Sequence, residues 1–130
     1  MAVILSIDDD PGLQDLLAHV LRGRGHDVHW AFSGEEGFEK AQSLRPQLII
    51  LDMMLPTLNG VEVLKLLKAH AALRDTPVIV ATAFFGEAPF TENAVKALGA
   101  FDFLKKPVQL DVLQAVIDSA LASAPSAPQS

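Results

Sequence analysis

Two rhythms of apolar and polar positions alternate along this chain. Short apolar runs at Ala2–Ile7, Gln47–Leu51, Pro77–Ala81 and Phe101–Leu104 read as strands. Asp27–Ala31 reads as a weaker, more polar strand suited to a sheet edge. Between them the period lengthens to that of a helix. Leu13, Leu16, Leu17, Val20 and Leu21 fall at i, i+3, i+4, i+7 and i+8, one apolar face, with Leu13, Leu16 and Leu17 assigned to the core. That helix opens on Asp10-Pro11, an acid cap with proline at the first helical position, and Gly23 and Gly25 end it. Ser33-x-x-Glu36 is a capping-box pattern for a helix to about Leu44, with Phe38 and Ala41 inward and Pro46 as breaker. Asn59-x-x-Glu62 is a second such pattern, with Leu58 and Val63 as a hydrophobic staple and Val63, Leu66 and Leu67 on the inner face. Thr91–Leu98 predicts a short helix stopped by Gly99, and a last helix after Pro107 carries Leu110, Leu113, Val116, Ile117 and Ala120. Strict strand–helix alternation implies a parallel sheet with helices on both faces, because parallel strands need crossovers.

Composition narrows the class. With 130 residues, half of them apolar, the chain is long enough for one well-buried core and too apolar for disorder. A net charge of −6 without any Lys/Arg run argues against a nucleic-acid surface on this chain. The absence of cysteine removes disulfides, thiolate metal sites and cysteine nucleophiles. Neither a leader-like start nor a membrane-length apolar stretch is read, so a cytoplasmic location without membrane contact is expected. Residues 1–121 are assigned to one domain and the Ala/Ser/Pro-rich 122–130 to a disordered tail or linker remnant.

The candidate chemistry lies at strand ends. Asp8-Asp9-Asp10 follows the first apolar run, and Leu48-Ile49-Ile50-Leu51 ends on Asp52. Crowded carboxylates repel, which costs free energy unless a cation sits among them. Hard divalent cations such as Mg²⁺ take oxygen ligands and keep waters that a phosphoryl oxygen can replace. Thr82 and Lys105-Lys106 follow two further strands. Parallel sheets bind ligands beyond the carboxyl ends of their strands, so these groups predict one site. Asp10 is assigned to capping, since one helix needs one cap, and Lys105 to the solvated surface. His19, His26, His29 and His70 lack ligand-like spacing, and Trp30 reads as strand packing.

Ile7-Asp8-Asp9-Asp10-Pro11, Leu51-Asp52-Met53-Met54-Leu55-Pro56 with Asn59-Gly60, Ala81-Thr82-Ala83 and Lys106-Pro107 together resemble the motif set of a response regulator receiver domain, the CheY-like module of two-component signalling. The resemblance spans about Val3 to Leu121. It implies a flavodoxin-like doubly wound α/β fold, (βα)5, with strand order 2-1-3-4-5. It implies Asp52 as phosphoacceptor, and Asp8, Asp9, Asp52 and the Met54 backbone carbonyl as ligands of Mg²⁺ (or Mn²⁺). Thr82 and Lys106 would bind the phosphoryl group, Phe103 would be the switch aromatic, and the bond before Pro107 would be cis. The implied partners are a sensor histidine kinase or His phosphotransfer protein, a downstream effector protein or domain, and a second copy in a phosphorylation-dependent homodimer. On this reading the chain is no enzyme beyond its own phosphorylation and slow autodephosphorylation. The polar side of the first helix (Gln14, His19) is assigned to docking the phosphoryl donor.

Departures from the family pattern are specific. Phe103 stands where tyrosine is usual. Met54 and Phe84, each two residues beyond a motif residue, are apolar and cannot orient an attacking water. The segment Phe84–Phe90 is unusually aromatic. Two other functions compete. Asp8-x-Asp10 is similar to the nucleophile motif of haloacid dehalogenase-like phosphatases, although Pro-Gly follows it, no later acidic pair appears and no cap domain is present. A phosphorylation-independent interaction module is the third reading, against which the intact acid, threonine and lysine set argues.

Overall fold

The apolar runs form strands and the amphipathic segments form the helices that cross back between them. The structure is a computed structural model and describes residues 2–84 and 86–123. In chain order the elements are β1 (Val3–Ile7), α1 (Pro11–Gly23), β2 (Asp27–Ala31), α2 (Gly34–Leu44), β3 (Leu48–Leu51), α3 (Gly60–Ala69), β4 (Val78–Thr82), α4 (Glu92–Ala97), β5 (Asp102–Lys105) and α5 (Leu110–Ser123). The five strands make one parallel sheet in the order β2-β1-β3-β4-β5. The expected order 2-1-3-4-5 is therefore the observed one, and polar β2 takes an edge.

Side chains of a strand alternate between faces, and the central strands are apolar on both. Leu5, Ile7, Ile49, Leu51, Val78, Val80 and Phe103 pack against α2, α3 and α4. Ile4, Leu48, Ile50, Ile79 and Ala81 pack against α1 and α5. Because all strands run the same way, their carboxyl ends share one edge, where Asp8, Asp52 and Lys106 follow directly.

Capping follows the sequence closely. Asp10 caps α1, its Oδ1 accepting from the N–H groups of Gly12 (3.0 Å) and Leu13 (3.3 Å). Asn59 and Glu62 form the full reciprocal box at α3. At α2 Ser33 Oγ accepts from Glu36 N, while the Glu36 carboxylate takes the N–H of Phe32 (2.8 Å), one residue further back than a capping box requires.

Four expectations are corrected. Leu16 is 46% exposed, and the buried stripe of α1 runs through Gln14, Leu17, Ala18 and Leu21. Leu66 of α3 is likewise exposed. In both helices the apolar arc is wider than the strip that contacts the sheet, and packing decides which edge of the arc faces water. Gln14, assigned to the outer side of α1, is buried, so it cannot belong to a docking surface; His19 is exposed as expected. Finally, α5 runs to Ser123, two residues into the segment assigned to the tail; the rest of that segment lies outside the described residues.

Candidate functional site

Backbone contacts set the acids before any side chain is considered. Asp8 N donates to Ala31 O and Asp52 N to Ile7 O, each at 3.0 Å, so both acids remain tied to the sheet just past β1 and β3. Each carboxylate also closes a local turn: Asp8 Oδ1 accepts from Asp10 N at 3.0 Å and Asp52 Oδ1 from Met54 N at 3.1 Å. Their second oxygens meet the same cation. Lys106 Nζ donates to Asp8 Oδ2 at 2.6 Å and to Asp52 Oδ2 at 3.0 Å. The lysine is placed by β5, and its own N–H donates to Thr82 O at 2.9 Å. Thr82 ends β4 fully buried, with Oγ1 accepting from Phe84 N at 3.2 Å. Asp9 is exposed, and carboxylate oxygens of Asp8, Asp9 and Asp52 lie within 4.8 Å of one another.

This arrangement is under electrostatic tension. Asp8 is 4% exposed. Burial pushes its carboxyl above the ordinary aspartate value, the Lys106 and Asp10 hydrogen bonds oppose this, and the Asp52 charge adds to it. For Lys106 burial works against the charged form, but the hydrogen bonds and charges of Asp8 and Asp52 outweigh it and raise its pKa. Three ionised carboxylates and one ammonium leave a net charge of −2, which one divalent cation neutralises. An all-oxygen donor set with an exposed member suits a hard, partly hydrated ion such as Mg²⁺.

The rim is apolar. Met54 is 47% exposed and Phe84 39%, and Phe84 stacks edge-on against Phe90 with ring centroids 5.1 Å apart. Phe103 is not at the site but in the core beneath it, packed on the α2/α3/α4 side of the sheet. The Lys106–Pro107 peptide is cis, as is Ala88–Pro89. Close approach is secured by glycine: a Cβ on Gly60 would stand 2.2 Å from Asp52 O and 2.6 Å from Met53 Cα. One contributor was given a different role by sequence reasoning. Gln14 donates from Nε2 to Ser6 O, Asp8 O and Ala31 O, directly behind the acidic turn. Its spacing to Leu17, Ala18 and Leu21, the buried stripe, was the available signal.

The family model for the response regulator receiver domain matches residues 4–118. The chain belongs to that family. This receiver domain is 38% identical over 106 residues to the DNA-binding response regulator MtrA of Mycolicibacterium smegmatis, a match covering 80% of this chain and 43% of that protein. It is 39% identical over 104 residues to the alkaline phosphatase synthesis transcriptional regulatory protein PhoP of Bacillus subtilis, covering 80% and 42%. The chain thus spans about half the length of these curated relatives or less. Among solved structures it resembles chemotaxis protein CheY4 of Vibrio cholerae, with a TM-score of 0.83, 29% identity and 92% and 98% of the two chains covered. A receiver domain of a histidine kinase from Syntrophus aciditrophicus gives a TM-score of 0.86 at 28% identity, covering 100% and 97%. The phosphatase alternative finds no support. Asp10, its acid/base, is occupied as a helix cap, and the described residues hold no metal-capable acidic group besides Asp8, Asp9 and Asp52. No helix among the described residues is long and apolar enough to cross a membrane.

Proposed function

We propose that this receiver accepts a phosphoryl group on Asp52 from the phosphohistidine of a sensor kinase or His phosphotransfer protein. The observation that carries the reading is the convergence of the Asp8, Asp9 and Asp52 carboxylates, two of them bridged by the Lys106 ammonium. Asp8, Asp9, Asp52 and the Met54 carbonyl would hold Mg²⁺ (or Mn²⁺), which would neutralise charge on the phosphoryl oxygens. Lys106, now bridging Asp8 and Asp52, is within reach of a group on Asp52 and would pair with one of its oxygens. A carboxylate is a competent nucleophile toward phosphorus, giving an acyl phosphate, and the remaining task is positioning and charge stabilisation. The chain would catalyse only its own phosphorylation and a slow hydrolysis.

Thr82 would release the N–H of Phe84 and donate its hydroxyl to a phosphoryl oxygen, opening space for the Phe103 ring. That local event would bias the surface of α4, β5 and α5 toward an effector or a second copy. MtrA is described as DNA-binding; here the acidic charge and lack of a basic stripe favour a protein partner for this chain, in the cytoplasm. Intact mass after incubation with acetyl phosphate and Mg²⁺ tests the core claim. The expected result is one added phosphoryl group that needs the metal and is absent in Asp52→Asn. Equal gain in the mutant would overturn the assignment.

A further inference from the structure

Gln14 is an amide where the rest of the buried α1 stripe is apolar, and it is 2% exposed. Its Nε2 lies 3.1 Å from Ser6 O, 3.0 Å from Asp8 O and 3.0 Å from Ala31 O. Two N–H hydrogens are therefore shared among three carbonyls at the carboxyl ends of β1 and β2. The opposite flip of the amide would set its oxygen against three oxygens, so the orientation is dictated by its partners. Its own Oε1 is buried and has no hydrogen-bond partner among the described residues, as does Ser6 Oγ. Packing alone does not explain this choice, since an apolar side chain of similar shape would fill the stripe without stranding an oxygen.

The carbonyls identify what the amide does. Ala31 O already accepts from Asp8 N, so Gln14 joins the same junction from the other side. Asp8 O belongs to the peptide linking Asp8 to Asp9, and fixing that oxygen fixes the plane from which both side chains project. With Asp10 N bound to Asp8 Oδ1 and Asp10 capping α1, the whole turn is held from both ends. We propose that Gln14 is a positioning residue of the metal site, aiming the Asp8 and Asp9 carboxylates by clamping the backbone that carries them. The inference rests on the proposed Mg²⁺ site and assigns Gln14 no contact with metal or phosphoryl group.

The test is Mg²⁺ affinity by titration calorimetry, which does not depend on phosphorylation, in wild type, Gln14→Met and Leu17→Ala. Gln14→Met keeps length and loses the donors; Leu17→Ala removes packing from the same stripe without touching the turn. Gln14→Met is expected to weaken Mg²⁺ about tenfold, the usual effect of losing a group that orients a ligand. Leu17→Ala should lower the unfolding temperature and leave Mg²⁺ affinity within a factor of two. Equal affinity in Gln14→Met and wild type, or equal losses in both variants, would overturn the clamp. Absence of Mg²⁺ binding by wild type would instead overturn the metal site itself. If Gln14→Met does not fold, the wild-type protein decides by NMR. Its Gln14 carboxamide protons should shift during a Mg²⁺ titration in step with the Asp9 and Asp10 amides, and resonances that stay fixed would refute the proposal.

Discussion

Gly60→Ala sets two local effects of opposite sign against each other beside Asp52, the proposed acceptor. Gly60 is the first residue of α3, and its N–H donates to Met53 O at 2.8 Å. Replacing a helical glycine by alanine ordinarily stabilises by about 0.5–1 kcal/mol, through lower backbone entropy in the unfolded chain. Here an added Cβ would lie 2.2 Å from Asp52 O, 2.6 Å from Met53 Cα and 2.7 Å from Met53 Cε. The methionine tip can swing away, but the two backbone atoms cannot, so α3 or the peptide after Asp52 must move by roughly 1 Å. Overpacking of that kind costs about 1–3 kcal/mol, and rigid backbone neighbours put this case near the top of the range. The net expectation is a loss of about 2 kcal/mol, or roughly 8 °C in unfolding temperature for a domain of this size. Because the displaced peptide is that of Asp52, phosphorylation by acetyl phosphate should also slow, by up to about 100-fold for a 1 Å error. Gly23→Ala is the control, as nothing lies within 4 Å of its added Cβ; propensity should stabilise it by about 0.5–1 kcal/mol. Thermal melts and a mass-spectrometric time course read both effects. Gly60→Ala melting within about 2 °C of wild type and phosphorylating normally would show that the close approach is not rigid, and the reasoning would fail.

Burial raises the Asp8 pKa above its unfolded value near 3.8, so without metal this carboxylate opposes folding at neutral pH, and the opposition fades as pH falls through the folded-state value. Asp8→Asn should therefore melt a few degrees higher than wild type in chelator at pH 7–8, by an amount that shrinks toward pH 4; a lower melting temperature at pH 7–8 would contradict it. Mg²⁺ at 100 times its dissociation constant should stabilise wild type by about 2.7 kcal/mol and Asp8→Asn by much less, as read from melts with and without the ion. With Met54 and Phe84 both apolar at the rim, the phosphorylated protein should persist for minutes or longer in Mg²⁺, and a half-life of seconds would refute this. Arg45 caps α2 at φ 50° and ψ 59°, so Arg45→Gly should stabilise by about 0.5–1 kcal/mol in denaturant titrations, less a small loss from its hydrogen bond to Gln42 O.

What was legible in the sequence is what local chemistry decides. The strands end where apolar runs stop, and Asp10, Ser33 and Asn59 cap the helices their patterns announce. The meeting of Asp8, Asp52 and Lys106 could be anticipated because parallel strands deliver all their carboxyl ends to one edge. What escaped is set by the rotation of a helix about its own axis. In α1 periodicity says which arc is apolar but not which edge of that arc packs, and packing sent Leu16 outward and Gln14 inward. The same reasoning misplaced Leu66 in α3. Close contacts such as Gly60 against Asp52 O and Gly34 against Leu58 O are equally invisible, because they join residues whose proximity depends on how two elements dock.

The features that build this site are also those that weaken the fold around it. Asp8 is buried beside a second acid, and Gln14 strands an oxygen in the core to hold three carbonyls. Thr57, a β-branched residue, is held at φ 61° in the loop that follows Asp52, its hydroxyl bound to Glu35 at 2.8 Å. Each is unfavourable for an inert domain, and each lies in or packs against the segments that carry the acids. A dication would relieve the charge part of that load, and offset the negative charge a phosphoryl group adds, while leaving the backbone part in place. Binding would therefore tighten the acidic turn without rebuilding it, because its hydrogen bonds already stand. The change transmitted onward then falls to groups whose bonds among the described residues are exchangeable: the Thr82 hydroxyl, which accepts from Phe84 N, and the Lys106 ammonium, shared between two carboxylates.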